Sequence, residues 1–374
     1  MAATAFLRMW VSNTVTAAMM LPIAMAIISV SDAPPGDSEN GFAIALLLAM
    51  AYAASLGGIG TLIGSPPNGI AVRFILQTYG HTFSFVDWLA VGPPVMLVML
   101  PLTWFMLSRI LFRLHQQTVP RAGALAALEL KRLGLLSRGV RATITVFAVT
   151  VLLWIVRPWL NTLNLGGHAP LAGLSDAGIA VGAALTLFLI PAGGGRRIME
   201  WDCAGRLPWG VLILFGGGLS LAATIEANGA AQFIASNAAN LGALPVVAVV
   251  LLVVVATVFL SEFTSNTAQV AIMLPILASL APGLGIDPLL LILPCTLAAS
   301  CAFMIPVGTP PNAMIFGTGL ITVPRMCKTG LWLNLLAILV ITLLVMALTP
   351  PLHGNTVRGH DPTVIPSPAT HRAH

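Results

Sequence analysis

Residues 6–14 read Phe-Leu-Arg-Met-Trp-Val-Ser-Asn-Thr, and residues 259–267 read Phe-Leu-Ser-Glu-Phe-Thr-Ser-Asn-Thr. At this offset of 253 positions Phe6-Leu7 falls on Phe259-Leu260, Ser12-Asn13-Thr14 on Ser265-Asn266-Thr267, and Leu21-Pro22-Ile23 on Leu274-Pro275-Ile276. Each copy has a companion downstream: Gly64-Ser65-Pro66-Pro67-Asn68 after the first, Gly308-Thr309-Pro310-Pro311-Asn312 after the second. Two ordered motifs, each present twice, define an internal repeat.

Composition sets the solvent in which this repeat works. Apolar residues make up 57% of the 374 residues and charged residues 8%, against about 25% charged in a soluble domain. The mean hydropathy is +0.95. So few charges cannot cover a water-facing surface, so the chain reads as one polytopic α-helical bundle facing the lipid bilayer. The net charge of +5 is not a nucleic-acid footprint: the basic residues, all Arg except Lys131 and Lys328, cluster in short loops. Cys203, Cys295, Cys301 and Cys327 lie singly, without the spacing of a disulfide framework or a metal site. Met1 to Trp10 has no cleavable-signal pattern.

Apolar stretches predict helices near 42–56, 88–112, 142–160, 175–192, 207–225, 245–260, 287–305 and 329–349, with shorter, re-entrant-type arms near 19–30 and 268–281. The basic residues around 113–141 place that loop in the cytoplasm, together with Arg196/Arg197 and Arg325/Lys328 if the 245–282 region enters and leaves on the outer side. The region after the first motif then faces the cytoplasm and the region after the second faces outward, which makes an inverted-topology repeat.

The motifs break helices. Ser-Asn-Thr interrupts an apolar segment, and Pro-Pro removes two amide donors. Irregular backbone survives in a bilayer only when buried in protein or lining a wet cavity. Four breaks therefore predict a central polar cavity, with freed N–H groups for an anion and freed carbonyls for a small cation. The plainer alternative is helix-gluing Ser/Thr/Asn and kinking Pro; the doubling of both motifs favours the site.

These residues (FLRMWVSNTVTAAMMLPIA, GGIGTLIGSPPN, LSEFTSNTAQVAIMLPI and PVGTPPNAMIFGTG) resemble the divalent anion/sodium symporters, which carry di- and tricarboxylates or sulfate. The resemblance runs from residue 1 to about 349. It implies two re-entrant hairpins whose tips meet at the substrate, broken helices, a homodimer in the plasma membrane, and elevator-type alternating access. By resemblance, Ser12, Asn13, Thr14, Ser265, Asn266 and Thr267 bind substrate carboxylates, and Ser65, Pro66, Thr309 and Pro310 complete the pocket. Sodium ions fall to Ser12, Asn13 and Gly64 on one side and to Ser265, Asn266 and Gly308 on the other. No organic cofactor is implied. The expected function is sodium-coupled transport of C4-dicarboxylates; the alternatives are sulfate or tricarboxylate transport, dicarboxylate exchange, or an inactive fragment.

Domain boundaries follow. Residues 1–79 form the first half-site, 80–112 a scaffold-like span and 113–141 a basic cytoplasmic loop. Residues 142–225 hold helices of the second repeat, 226–319 the second hairpin and broken helix, 320–349 the last span, and 350–374 a disordered polar tail. The apolar arm Leu244–Leu260 precedes the second tip but only eleven residues precede the first, so the repeat predicts further helices upstream and the chain reads as a fragment.

Three other features call for a reading. Arg8 stands four residues before Ser12, opposite Ser261 in the second copy; it either displaces the first sodium ion or snorkels to the cytoplasmic surface. Glu262 reads as a structural acid within the second hairpin. Gly216-Gly217-Gly218 lacks the Lys-Ser/Thr of a phosphate loop. An intramembrane enzyme needs paired acids, a metal motif or a nucleophile with its base, and the spans offer none. A passive channel needs no inverted pair of binding motifs and ranks below a transporter.

Overall fold

Apolar runs become helices here because only a helix satisfies its own backbone in lipid. The computed structural model describes residues 1–29, 31, 41–114, 137–163, 170–193, 196–205 and 244–356, with positions 213, 216, 217, 220, 224 and 228 between them. The first repeat contains α1 (Ala2–Arg8), α2 (Asn13–Ser29), α3 (Gly41–Gly57), α4 (Pro66–Tyr79) and α5 (Phe85–Phe105), which runs on as a π-helical turn to Leu111. Helices α6 (Arg138–Asn161) and α7 (Asp176–Leu189) follow, then a two-stranded ribbon of β1 (Pro191–Gly193) and β2 (Arg196–Arg197), and the single turn of α8 (Trp201–Gly205). The second repeat contains α9 (Val246–Ser261), α10 (Asn266–Gly283), α11 (Leu289–Ala298), α12 (Pro310–Phe316) and α13 (Val323–Thr356).

Four of these helices are long and apolar enough to cross a membrane: Phe85–Leu111, Arg138–Asn161, Asn266–Gly283 and Val323–Leu348. Apolar side chains such as Leu97, Trp104, Ile144, Leu152, Trp159 and Leu339 are exposed on α5, α6 and α13, as a lipid-facing surface requires. The protein is a multi-pass, all-α membrane protein.

Packing follows the repeat. Helix α3 lies against both arms of the first hairpin, α1 and α2, and α11 lies against both arms of the second, α9 and α10. Helix α5 covers α3 as α13 covers α11, and α5 and α13 pack on each other. The apolar core runs through all of these, from Leu47, Leu48 and Tyr52 on α3 to Leu291, Ile292 and Leu293 on α11. The α6–α7 pair is tied to α5 by Asp176: its carboxylate accepts from the Phe85 amide at 3.0 Å and pairs with Arg157 at 2.6 Å, while its carbonyl accepts from Trp154 Nε1 at 3.0 Å.

The structure departs from the sequence expectations at four places. The apolar run 287–305 is helical only to Ala298, because its last residues form the break before Thr309. Helix α10 is 18 residues long, about 27 Å, so length alone does not make it a short arm. The last helix starts at Val323 and its backbone stays helical to Thr356, past Pro350, where the polar tail was expected to start; a proline removes one ladder bond without reversing the chain. Arg8 does not reach a surface, as shown below. The bulk of the 113–141 loop and of the 207–225 run, together with Gly218, Glu226 and the tail after Thr356, lies outside the described residues.

Candidate functional site

Each motif opens a helix. Helices α2 and α10 begin at Asn13 and Asn266, inside the two Ser-Asn-Thr tripeptides, and α4 and α12 begin at Pro66 and Pro310. Proline suits a first helical turn because its φ is already helical and its missing N–H would have had no intrahelical acceptor. The Pro-Pro helices have no amide hydrogen at their first two positions, and the third amide is taken: Asn68 N donates to Ser65 O at 3.1 Å and Asn312 N to Thr309 Oγ1 at 3.4 Å. At the start of α2 the third amide is likewise taken, Val15 N donating to Ser12 Oγ at 3.4 Å, while the first two amides there and at the start of α10 lack intrahelical acceptors. Anion-binding capacity of the backbone therefore lies with the Ser-Asn-Thr ends.

The second hairpin reverses sharply. Gln269 Nε2 donates to Thr257 O and Ser261 Oγ donates to Gln269 Oε1, both at 2.8 Å. Residues twelve apart in a continuous helix would be separated by about 18 Å, so these bonds require α9 and α10 to fold back on each other. Buried Gln269 is the staple of that tip.

The broken helices are held open by a bond set that occurs twice. Asn68 Nδ2 donates to Gly58 O at 2.9 Å and to Thr61 O at 2.8 Å. Asn312 Nδ2 donates to Ala302 O at 3.1 Å and to Ile305 O at 3.2 Å. All three positions correspond at an offset of 244 residues. Both asparagines are fully buried. A third carbonyl in each break is satisfied by an aromatic donor, Ile59 O by Trp88 Nε1 and Phe303 O by Tyr52 OH, each at 2.9 Å. The same two carbonyls lie against glycines of the covering helices, Gly92 on α5 and Gly330 on α13, where an added Cβ would collide. Unwound backbone in a membrane needs such partners; here side chains supply them.

The two tips are chemically unequal. In the first, the buried Arg8 side chain donates from Nε to Asn13 Oδ1 at 3.3 Å and from Nη1 to Val11 O at 3.1 Å, and its Nη2 lies beside Gly58. It is held inside the tip rather than snorkelling. In the second tip Ser261 takes the place of Arg8, and Glu262 the place of Met9. The buried Glu262 carboxylate accepts from the amides of Phe303 at 2.8 Å and Ile305 at 3.0 Å, from Met304 at 3.0 and 3.1 Å, and from Asn334 Nδ2 at 2.8 Å. It joins hairpin, break and last helix, a structural task as the sequence indicated. The first tip makes the corresponding hairpin-to-break link through Thr61 Oγ1 donating to Met9 O.

The motif-bearing helices pack across the repeats. Helix α2 packs on α12, and α10 packs on α4, so each Ser-Asn-Thr helix lies against the Pro-Pro helix of the other copy. Ser12, Thr14, Ser265, Pro66 and Pro310 are exposed; Asn13, Asn266, Thr267 and Gly308 are half-buried; Ser65, Thr309 and Gly64 are buried. Sequence reasoning left Asn68, Asn312, Gln269, Tyr52 and Trp88 without a role. The two asparagines carried a signal, since each closes a Pro-Pro-Asn motif. A sodium ion needs oxygen ligands. At the second tip Asn266 Oδ1 is buried and has no hydrogen-bond partner among the described residues, so that tip, with Ser265 and Gly308, fits a cation.

Doubled hairpins, doubled broken helices and exposed polar tips within a lipid-facing bundle define a secondary transporter of the membrane rather than an enzyme. The family model described as the sodium:sulfate symporter transmembrane region matches residues 1–354. The chain belongs to that family and is a multi-pass protein of the plasma membrane. It is similar to the sodium-dependent dicarboxylate transporter SdcS of Staphylococcus saprophyticus subsp. saprophyticus, 40% identical over 365 residues that cover 96% of this chain and 70% of that protein. Similarity to the protein of the same name from Staphylococcus aureus strain COL is 40% over 362 residues, 95% of this chain and 69% of the other.

Proposed function

We propose that this protein carries C4-dicarboxylates such as succinate, malate and fumarate into the cell, coupled to sodium. The observation that supports this most directly is the pair of Ser-Asn-Thr helices, partly exposed at their starts, each of which packs on the Pro-Pro helix of the opposite repeat. Ser12, Asn13, Thr14, Ser265, Asn266 and Thr267 bind the two carboxylates through hydroxyls, amides and free backbone N–H groups, with Pro66 and Pro310 on the wall and Ser65 and Thr309 behind it. Neutral donors hold an anion that must later leave. Sodium binds beside the second tip through Ser265, Asn266 and Gly308. The repeats lie in inverted orientation, the protein works as a homodimer, and the substrate-bearing part moves like an elevator against the scaffold. The names of the relatives support the dicarboxylate assignment over sulfate or tricarboxylate.

Uptake of labelled succinate, citrate and sulfate into proteoliposomes, with sodium varied against potassium, tests this. Saturable succinate uptake, stimulated by sodium and competed by malate and fumarate, is expected. Uptake of sulfate or citrate without succinate would overturn the substrate; succinate uptake only against internal dicarboxylate would replace symport by exchange.

A further inference from the structure

The repeat places comparable groups at two tips, and at only one of them is the tip asparagine's side-chain oxygen without a hydrogen-bond partner among the described residues. Asn266 Oδ1, buried at the second tip, has no hydrogen-bond partner among the described residues. Its counterpart Asn13 Oδ1 accepts from Arg8 Nε at 3.3 Å, and the tip carbonyl of Val11 accepts from Arg8 Nη1 at 3.1 Å. The guanidinium also fills the space over Gly58 in the adjoining break. Gly58 O itself is taken by Asn68. A sodium ion at the first tip would need the acceptors that Arg8 already uses, and would stand beside a permanent positive charge in a low-dielectric setting. The residues Ser12, Asn13 and Gly64 therefore do not fit a sodium site in this chain.

We infer that Arg8 is the built-in cation of the first tip, so that the protein binds a single sodium ion per chain, at the second tip beside Asn266. This rests on the sodium-coupled reading above and narrows it. The guanidinium supplies from the protein the positive charge that the first tip would otherwise take from solution, and it cannot dissociate. The acidic residue of the two tips, Glu262, stands in the second, its Oε2 3.3 Å from where a Cβ on Gly308 would lie, so the fixed charges favour a mobile cation there and disfavour one at the first.

Equilibrium binding of radioactive sodium to the purified protein, without substrate, tests the inference independently of what is transported. One sodium per chain is expected for the wild type, two for Arg8→Ser, which restores the residue type of Ser261, and one for Arg8→Lys. Two sodium ions on the wild type, none on the wild type, or no gain in an Arg8→Ser protein that elutes as a single species would each overturn it. If Arg8→Ser does not fold, the wild-type count and Asn266→Leu decide: the count must fall from one to none in Asn266→Leu, and an unchanged count overturns the assignment. A wild type that binds one sodium ion yet takes up no succinate supports the inference while removing the substrate reading.

Discussion

Asn334 on the last helix places its amide nitrogen 2.8 Å from a carboxylate oxygen of Glu262, and both side chains are buried. The carboxylate is surrounded by donors alone, three backbone amides and this side chain. An acceptor-only group suits that setting and an amide does not. Glu262→Gln therefore turns one acceptor into a donor facing other donors. The expected cost is about 2–3 kcal/mol, by the usual penalty for losing charge-assisted bonds and leaving a buried donor unpaired. It should appear as a lower thermal midpoint in detergent. Asn334→Leu should cost less, and the double variant less than the sum, because the two share one network.

The glycines of the covering helices separate close packing from mere flexibility. An added methyl at Gly330 meets the Phe303 carbonyl, and one at Gly92 meets the Ile59 carbonyl, while nothing lies within 4 Å of such a methyl at Gly69. Gly330→Ala and Gly92→Ala are expected to destabilise by about 1–3 kcal/mol through overpacking. Gly69→Ala, inside α4, is expected to be neutral or to stabilise by up to about 1 kcal/mol. Fluorescence-detected size exclusion after heating would rank the three.

Asn68 and Asn312 make the same two bonds in the two repeats. Asn68→Ala and Asn312→Ala should each leave two buried carbonyls short of a donor, with a loss of about 1–3 kcal/mol, and should reduce uptake by similar factors. Asn68→Asp should be worse than Asn68→Ala, since it sets a carboxylate against two carbonyl oxygens. Equal uptake by Asn68→Asp and wild type would refute the bracing role.

The link between repeats through Tyr52 is separable from its ring packing. Tyr52→Phe removes the hydroxyl bond to Phe303 O and keeps the edge-on contact of the two rings, whose centroids are 5.0 Å apart. A loss of about 1 kcal/mol is expected, against about 3–5 kcal/mol for Tyr52→Ala, by analogy with large-to-small aromatic substitutions in a packed core. Thermal midpoints of the two variants check this.

Helix ends were legible in the sequence where an apolar run ended at a glycine or a polar residue, as at Gly57 and Ser261, whereas α5 begins at Phe85, ahead of the apolar run expected at 88–112. The breaks were legible because Pro66-Pro67 and Pro310-Pro311 cannot continue a helix. What closes those breaks was not legible. Trp88 and Tyr52 reach carbonyls 29 and 251 residues away, and such pairings depend on how helices pack, which no local pattern encodes. The loss of amide donors at the starts of α4 and α12 is legible too, since Pro66-Pro67 and Pro310-Pro311 have no N–H. Arg8 was recognised as anomalous by position, but only the fold shows that its guanidinium turns inward to Asn13.

The crossing of each hairpin onto the other copy's Pro-Pro helix makes the two halves mutually dependent, like the subunits of an obligate dimer joined by a tether. In such an arrangement sequence identity between partners can be lost while the joint is kept. Arg8 and Glu262 mark such a difference: one copy carries a fixed positive charge at its tip and the other a negative one. The halves are consequently no longer interchangeable. A chimaera carrying two first copies would hold two tip guanidinium groups, and one carrying two second copies would hold two tip carboxylates.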